Sequence, residues 1–147
     1  AFRRGQGEYV HQQGPAPQQL EHDGIGYTLA AVGEVIGPVA FSSLCASREW
    51  LQSQMAKAFM RAYRRARVFA VEAPAEEIAA LEAEFFPAID REVLVRTIGD
   101  YQRLGCWTPE PEISRAAYEK LLDVFLFNGL ITQRHAYETC VVPVVEA

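Results

Sequence analysis

The chain has 147 residues, half of them apolar and 22% charged, with a formal net charge of −5. That length suffices for one domain with a real core, and the composition argues against both a disordered tail and a membrane protein. The negative balance argues against a general affinity for nucleic acid, which takes a basic surface to displace counterions from phosphate. The longest apolar runs, such as Leu29 to Val32 and Val39 to Phe41, fall far short of a membrane span. The N-terminus lacks the basic-then-apolar order of a signal peptide. It starts at Ala1 rather than Met, so we expect a chain that is processed or cut from something longer.

In chain order, Gly5 and Gly7 permit a tight entry, and Glu8-Tyr9-Val10-His11 alternates polar and apolar at the period of a strand. Gly14-Pro15-Ala16-Pro17 stops that strand, because proline cannot donate to a sheet ladder, and a helix can begin at Pro17. The intervening loop leaves backbone N–H groups without internal partners. Such groups suit an anion or a polar ligand, although an ordinary strand-to-helix turn has the same pattern. The helix ends over Glu21 to Gly26, with Gly24 where a left-handed cap belongs. Tyr27 to Val32 reads as a buried strand, Gly33 to Pro38 as a turn, and Val39 to Ala46 as a second extended segment. Its Ser42 and Ser43 either meet a ligand or bond local backbone.

From Ser47 the period becomes helical. Ser47 is a good N-cap, and Leu51, Met55, Phe59, Ala62, Ala66 and Phe69 recur at three- and four-residue spacing, predicting one long amphipathic helix to about Ala70. Arg61, Arg64, Arg65 and Arg67 on it read as a solvated face. Pro74 opens a second helix with Ile78, Leu81 and Phe85 on one face, closing before Pro87. Asp90 caps a third, bearing Leu94, Ile98, Tyr101 and Leu104 and ending at Gly105. Two prolines, Pro109 and Pro111, interrupt the chain. A fourth helix from Ser114 carries Tyr118, Leu121, Leu122, Phe125 and Leu126 to Asn128-Gly129.

Catalytic chemistry is thin in this pattern. Cys45, Cys106 and Cys140 are odd in number and far apart, and read as free or buried thiols. His11, His22 and His135 have no metal spacing, and no phosphate loop or nucleophile elbow is present. Glu76-Glu77 and Glu82 with Glu84 read as a solvated helical face rather than a catalytic pair. Neither a metal nor a cofactor is expected.

The motif order resembles the C-terminal half of the periplasmic solute-binding proteins of ABC importers for nitrate, taurine and alkanesulfonates. Gly7-Glu8-Tyr9 is similar to that family's turn into a strand, Gly14-Pro15-Ala16-Pro17 with Leu20-Glu21 and Gly24 to its Pro-x-x-x-x-Leu-Glu-x-x-Gly, and Leu51 to Arg67 to its long helix. Ile98-Gly99-Asp100-Tyr101, Gly105-Cys106-Trp107-Thr108, Phe127-Asn128-Gly129-Leu130-Ile131 and Tyr137-Glu138-Thr139 follow its tail order. The resemblance spans nearly all of this chain and about half of a usual member. It implies an α/β, periplasmic-binding-protein-like (type II) partial lobe with a helix-rich C-terminal part, divided as an α/β segment over residues 1–46 and helices over 47–147. It also implies a periplasmic or lipid-anchored extracytoplasmic setting, an ABC permease as partner, and a small polar or anionic solute. Gln12, Gln13, Gly14, Pro15 and Ala16 would line the cleft, with Ser42 and Ser43 near the crossing between lobes. Gly14 stands where the family often has an aromatic residue. The related thiamin-pyrimidine synthase branch needs a cysteine-rich motif that is missing here. A helical interaction module is a further alternative. With strands left unpaired, the chain is expected to form a homodimer, with its early strands and the long helix at or near the contact.

Overall fold

The structure is a computed structural model that describes residues 1–143. Among these residues there is no β-strand: a short 3-10 turn at Phe2–Arg4 is followed by eight helices, α1 (Ala16–His22), α2 (Val32–Ile36), α3 (Arg48–Leu51), α4 (Gln54–Glu72), α5 (Ala75–Glu82), α6 (Arg91–Arg103), α7 (Arg115–Phe127) and α8 (Tyr137–Cys140). The α/β fold class is therefore corrected to an all-helical one. The reason is that alternation alone does not make a strand; a ladder partner does. Residues 8–11, 27–32 and 39–44 have none, and their polar groups go elsewhere. Thr28 N donates to Glu21 Oε1 at 2.6 Å, Phe41 N to Val39 O at 2.9 Å, and Ala40 N to Ala117 O at 3.2 Å. The expected buried strand is instead open, with Tyr27 89% and Leu29 76% exposed, and its last residue, Val32, opens α2.

The chain divides into two units. The first comprises residues 1–35 and 72–107, the second 36–71 and, among the described residues, 108–143. In the first, α5 and α6 form a helical hairpin around Ile78, Ala79, Leu94 and Ile98, ringed by Ala73, Ala75, Ala83, Ile89, Val95 and Trp107. Each local signal agrees with this arrangement. Pro74 precedes α5, Asp90 Oδ1 caps α6 by accepting from Glu92 N at 2.8 Å, and Gly105 follows α6 with φ 64°. Burying each large aliphatic side chain of this cluster contributes about 1.5–3 kcal/mol. The buried row of α5 is narrower than its sequence suggests: Leu81 is 60% and Phe85 72% exposed.

The second unit breaks the expected long helix in two. Ser47 Oγ accepts from Trp50 N at 3.1 Å and caps α3; then Ser53 Oγ accepts from Ala56 N at 3.1 Å and caps a fresh start at α4. A serine that offers its own acceptor to the backbone competes with the continuing helix. The buried line of α4 is also rotated from the expected one. Ala56 is fully buried and Met60, Tyr63 and Arg67 are half-buried, whereas Met55, Phe59, Ala62, Ala66 and Phe69 are exposed.

On α7, Ser114 Oγ caps by accepting from Ala117 N at 3.2 Å, Tyr118 and Leu122 are buried, and Leu121 and Phe125 are half-buried. Tyr118 donates to His135 O at 3.0 Å and meets Tyr137 edge-on at 5.6 Å. A hydrogen bond with Cys140, then burial, pushes the Tyr118 phenol up to about 12. No helix among the described residues is long and apolar enough to cross a membrane. The three cysteines are free and exposed, so none is a buried thiol.

Candidate ligand-binding loop

Residues Gln12 to Pro15 form a loop of the first unit leading into α1, whose first residue is Ala16. Ala16 N donates to Gln13 O at 3.1 Å and Gln19 N to Pro15 O at 2.9 Å, while Pro17 sits in the first turn, where its missing N–H costs nothing. What holds the loop is α6. A Cβ at Gly14 would lie 2.7 Å from Tyr101 Oη and 3.1 Å from Thr97 Cγ2. The glycine is thus needed for close approach to the protein's own helix, which is a different use from the backbone approach to a ligand expected of it.

One position further into α1, Gln18 is buried and its Nε2 donates to Asp100 Oδ2 at 2.9 Å. Arg103 Nη2 reaches Asp100 Oδ1 at 3.3 Å and its Nη1 reaches Glu34 at 3.0 Å. Gln18 Oε1 has no partner. Beyond the helix end, Arg3 and then Gln19 hydrogen-bond the Asp23 carboxylate and hold it below the ordinary aspartate range.

Gly14, Pro15 and Ala16 are half-buried, while Gln12 and Gln13 are exposed with no side-chain hydrogen bond among the described residues. The loop therefore presents two primary amides, each able to donate and to accept, on a base fixed by Gly14 against α6. Ser42 and Ser43 belong to the second unit and are exposed; Ser43 Oγ donates to Ala40 O at 3.4 Å, the local backbone use. Gln18, Thr97, Asp100 and Tyr101 are the residues that the sequence reading did not assign to the site. Their signal was a polar pair, Thr97 and Asp100, set within the apolar row of α6.

A shallow cleft of about 450 Å³ lies nearby in the same unit, lined by Glu76, Arg91, Glu92, Val95 and Arg96. Both charge signs line it, so its field is mixed. The set closest to a metal site among the described residues is His22, Asp90 and Glu92, whose ligand atoms lie within 4.8 Å of one another. All three are exposed, and Asp90 Oδ1 is already engaged in capping α6.

No protein-family model matches the chain, and no solved structure matches it. Among curated proteins it is similar to one from Bacillus subtilis (strain 168) named "Putative binding protein YtlA", with 26% identity over 143 residues. That alignment covers 96% of this chain and 43% of the relative, so the chain spans less than half of the relative's length.

Proposed function

We propose that the chain is part of the solute-binding component of an ABC importer, acting outside the cytoplasmic membrane. It captures a small polar or anionic solute, such as nitrate, a sulfonate, taurine or a pyrimidine-like compound, hands it to a permease and performs no chemistry of its own. The observation that carries this reading is the similarity, over 96% of the chain, to a protein named as a binding protein. The motif order along the sequence supports the importer class, and the exposed Gln12 and Gln13 amides on a pinned loop supply suitable hydrogen-bonding groups. The test is calorimetry of the protein at its natural length against nitrate, taurine, an alkanesulfonate and an aminopyrimidine. The expected result is saturable binding of one compound that weakens when Gln12 and Gln13 are both changed to Ala. Absence of binding across the panel, with no solute retained on purification by mass spectrometry, would contradict it.

A second reading, a helical interaction module, is favoured by the all-helical structure of the described residues and by the apolar side chains left open at Tyr9, Tyr27 and Leu29. In that reading the chain forms a homodimer through residues 8–11 and 27–32. Sedimentation at micromolar concentration tests the dimer alone: a 16.4 kDa species with no concentration dependence removes it, whereas the calorimetry above separates the two readings.

A further inference from the structure

The helix α4 carries a charge pattern opposite to that of the chain. Over Gln54–Glu72 the one acidic residue is the last, Glu72, which lies on the Arg61 and Arg65 side more than one turn beyond Arg65, whereas five of the chain's 14 lysines and arginines are there: Lys57, Arg61, Arg64, Arg65 and Arg67. Two of these are committed. Arg67 donates to Thr108 O at 2.7 Å and to Thr108 Oγ1 at 2.8 Å, and Arg64 lies 4.0 Å from a Glu110 carboxylate oxygen. Arg61 and Arg65, one turn apart on the same face, are exposed and pair with no carboxylate among the described residues.

The exposed side of α4 is not purely polar. At 100° per residue, Ala58, Ala62 and Phe69 stand directly beside Arg61 and Arg65, with Met55, Ala66 and Phe59 completing an apolar strip. Met55 is 66% exposed, Phe59 41% and Phe69 36%, with one side of the Phe59 ring against Trp50 and Tyr63. The helix therefore turns a basic pair, Arg61 and Arg65, and an apolar strip outward together.

We propose that this face of α4 is a docking surface for an anionic lipid bilayer, on which the helix lies in the plane of the interface. Charge complementarity is the first argument. Unpaired guanidinium groups suit lipid phosphates, which take them at any register along the helix. The second is the position of Met55, Phe59 and Phe69. An acidic protein surface would be satisfied by the arginines alone, whereas side chains of this size beside a basic edge fit the boundary between headgroups and acyl chains. The negative charge of the rest of the chain makes the attachment directional, since other faces are repelled by the same surface. This inference concerns α4 alone and does not depend on which solute is bound.

The experiment is co-sedimentation of the chain with vesicles of phosphatidylcholine and phosphatidylglycerol at 3:1, with pure phosphatidylcholine vesicles and with poly-glutamate as comparisons. Binding to the anionic vesicles is expected, with little to neutral ones and a marked loss at high salt. The double variant Arg61→Glu with Arg65→Glu should bind at least about tenfold more weakly, while Arg61→Lys with Arg65→Lys retains binding. Met55→Ser should weaken binding to anionic vesicles with both arginines intact. Circular dichroism equal to that of the parent confirms that each variant is folded. Failure to bind anionic vesicles, binding that survives charge reversal, or binding to poly-glutamate without binding to vesicles would overturn the proposal.

Discussion

The two units of this chain are held by different means. In the first, four buried apolar residues of α5 and α6 form a continuous cluster, and Val93 is buried beside them in sequence. In the second, buried apolar side chains are fewer among the described residues, namely Ala56, Tyr118 and Leu122. Long polar side chains reach for backbone carbonyls instead: Arg67 to Thr108, Arg48 to Thr139, Lys120 to Ile36, Tyr118 to His135 and Tyr137 to Ile113. Each such bond contributes only about 0.5–1.5 kcal/mol net, or somewhat more from a charged donor. The hydrophobic cluster therefore dominates stability, and the polar ties chiefly fix where segments lie.

The largest effect expected from that contrast is in the first unit. Ile98→Ala should cost about 2–5 kcal/mol in chemical denaturation, because the site is enclosed by Ile78, Ala79 and Leu94. Loss of less than 1 kcal/mol would mean that the cluster is loose. The loop comes next. Gly14→Ala should destabilise by about 1–3 kcal/mol through overpacking, since the new Cβ meets Tyr101 Oη. In a Tyr101→Phe background the cost should fall, and a double-mutant cycle with no coupling would break the link between loop and α6.

In the second unit, Phe125→Ala should fall below the roughly 3–5 kcal/mol of a fully buried phenylalanine, because Phe125 is only half-buried. Tyr118→Phe should cost about 0.5–1.5 kcal/mol for the lost bond to His135 O. The smallest effect concerns pH. The hydrogen bond from Arg115 holds the Glu138 carboxylate below its ordinary range. A depressed acid stabilises the fold above its unfolded value, and the contribution is lost as pH falls through the folded value. Acid titration followed by NMR at Tyr137, over which Arg115 stacks at 4.5 Å, should show α8 loosening at a pH below that of ordinary glutamate titration. Loosening near neutral pH would assign α8 to another cause.

Local signals were legible where a single residue decides the geometry. Ser47, Asp90 and Ser114 each accept the backbone N–H that a cap should accept, and Gly24, Gly105 and Gly129 each have positive φ. Pairing was not legible. The alternation in Glu8 to His11 and the apolar run of Tyr27 to Val32 are compatible with strands, yet a strand depends on a partner that no local pattern contains. The face of α4 failed for a related reason: Met55, Phe59, Ala62, Ala66 and Phe69 do form one row, and the protein turns inward the adjoining row of buried Ala56 and half-buried Met60 and Tyr63. At the loop, Gly14 stood out in the sequence, but its neighbour Tyr101 lies 87 positions away, beyond the reach of local pattern.

Native-state amide hydrogen exchange tests the central contrast most directly. The slowest exchange is expected in α5 and α6, around Ile78, Leu94 and Ile98, with faster exchange in α4 and α7 and the fastest over residues 8–11, 27–32 and 39–44, apart from the hydrogen-bonded amides of Thr28, Ala40 and Phe41. Strong alternating protection in those three segments would reveal a ladder and contradict the all-helical architecture, and equal protection of α7 and α6 would contradict the difference between the two units.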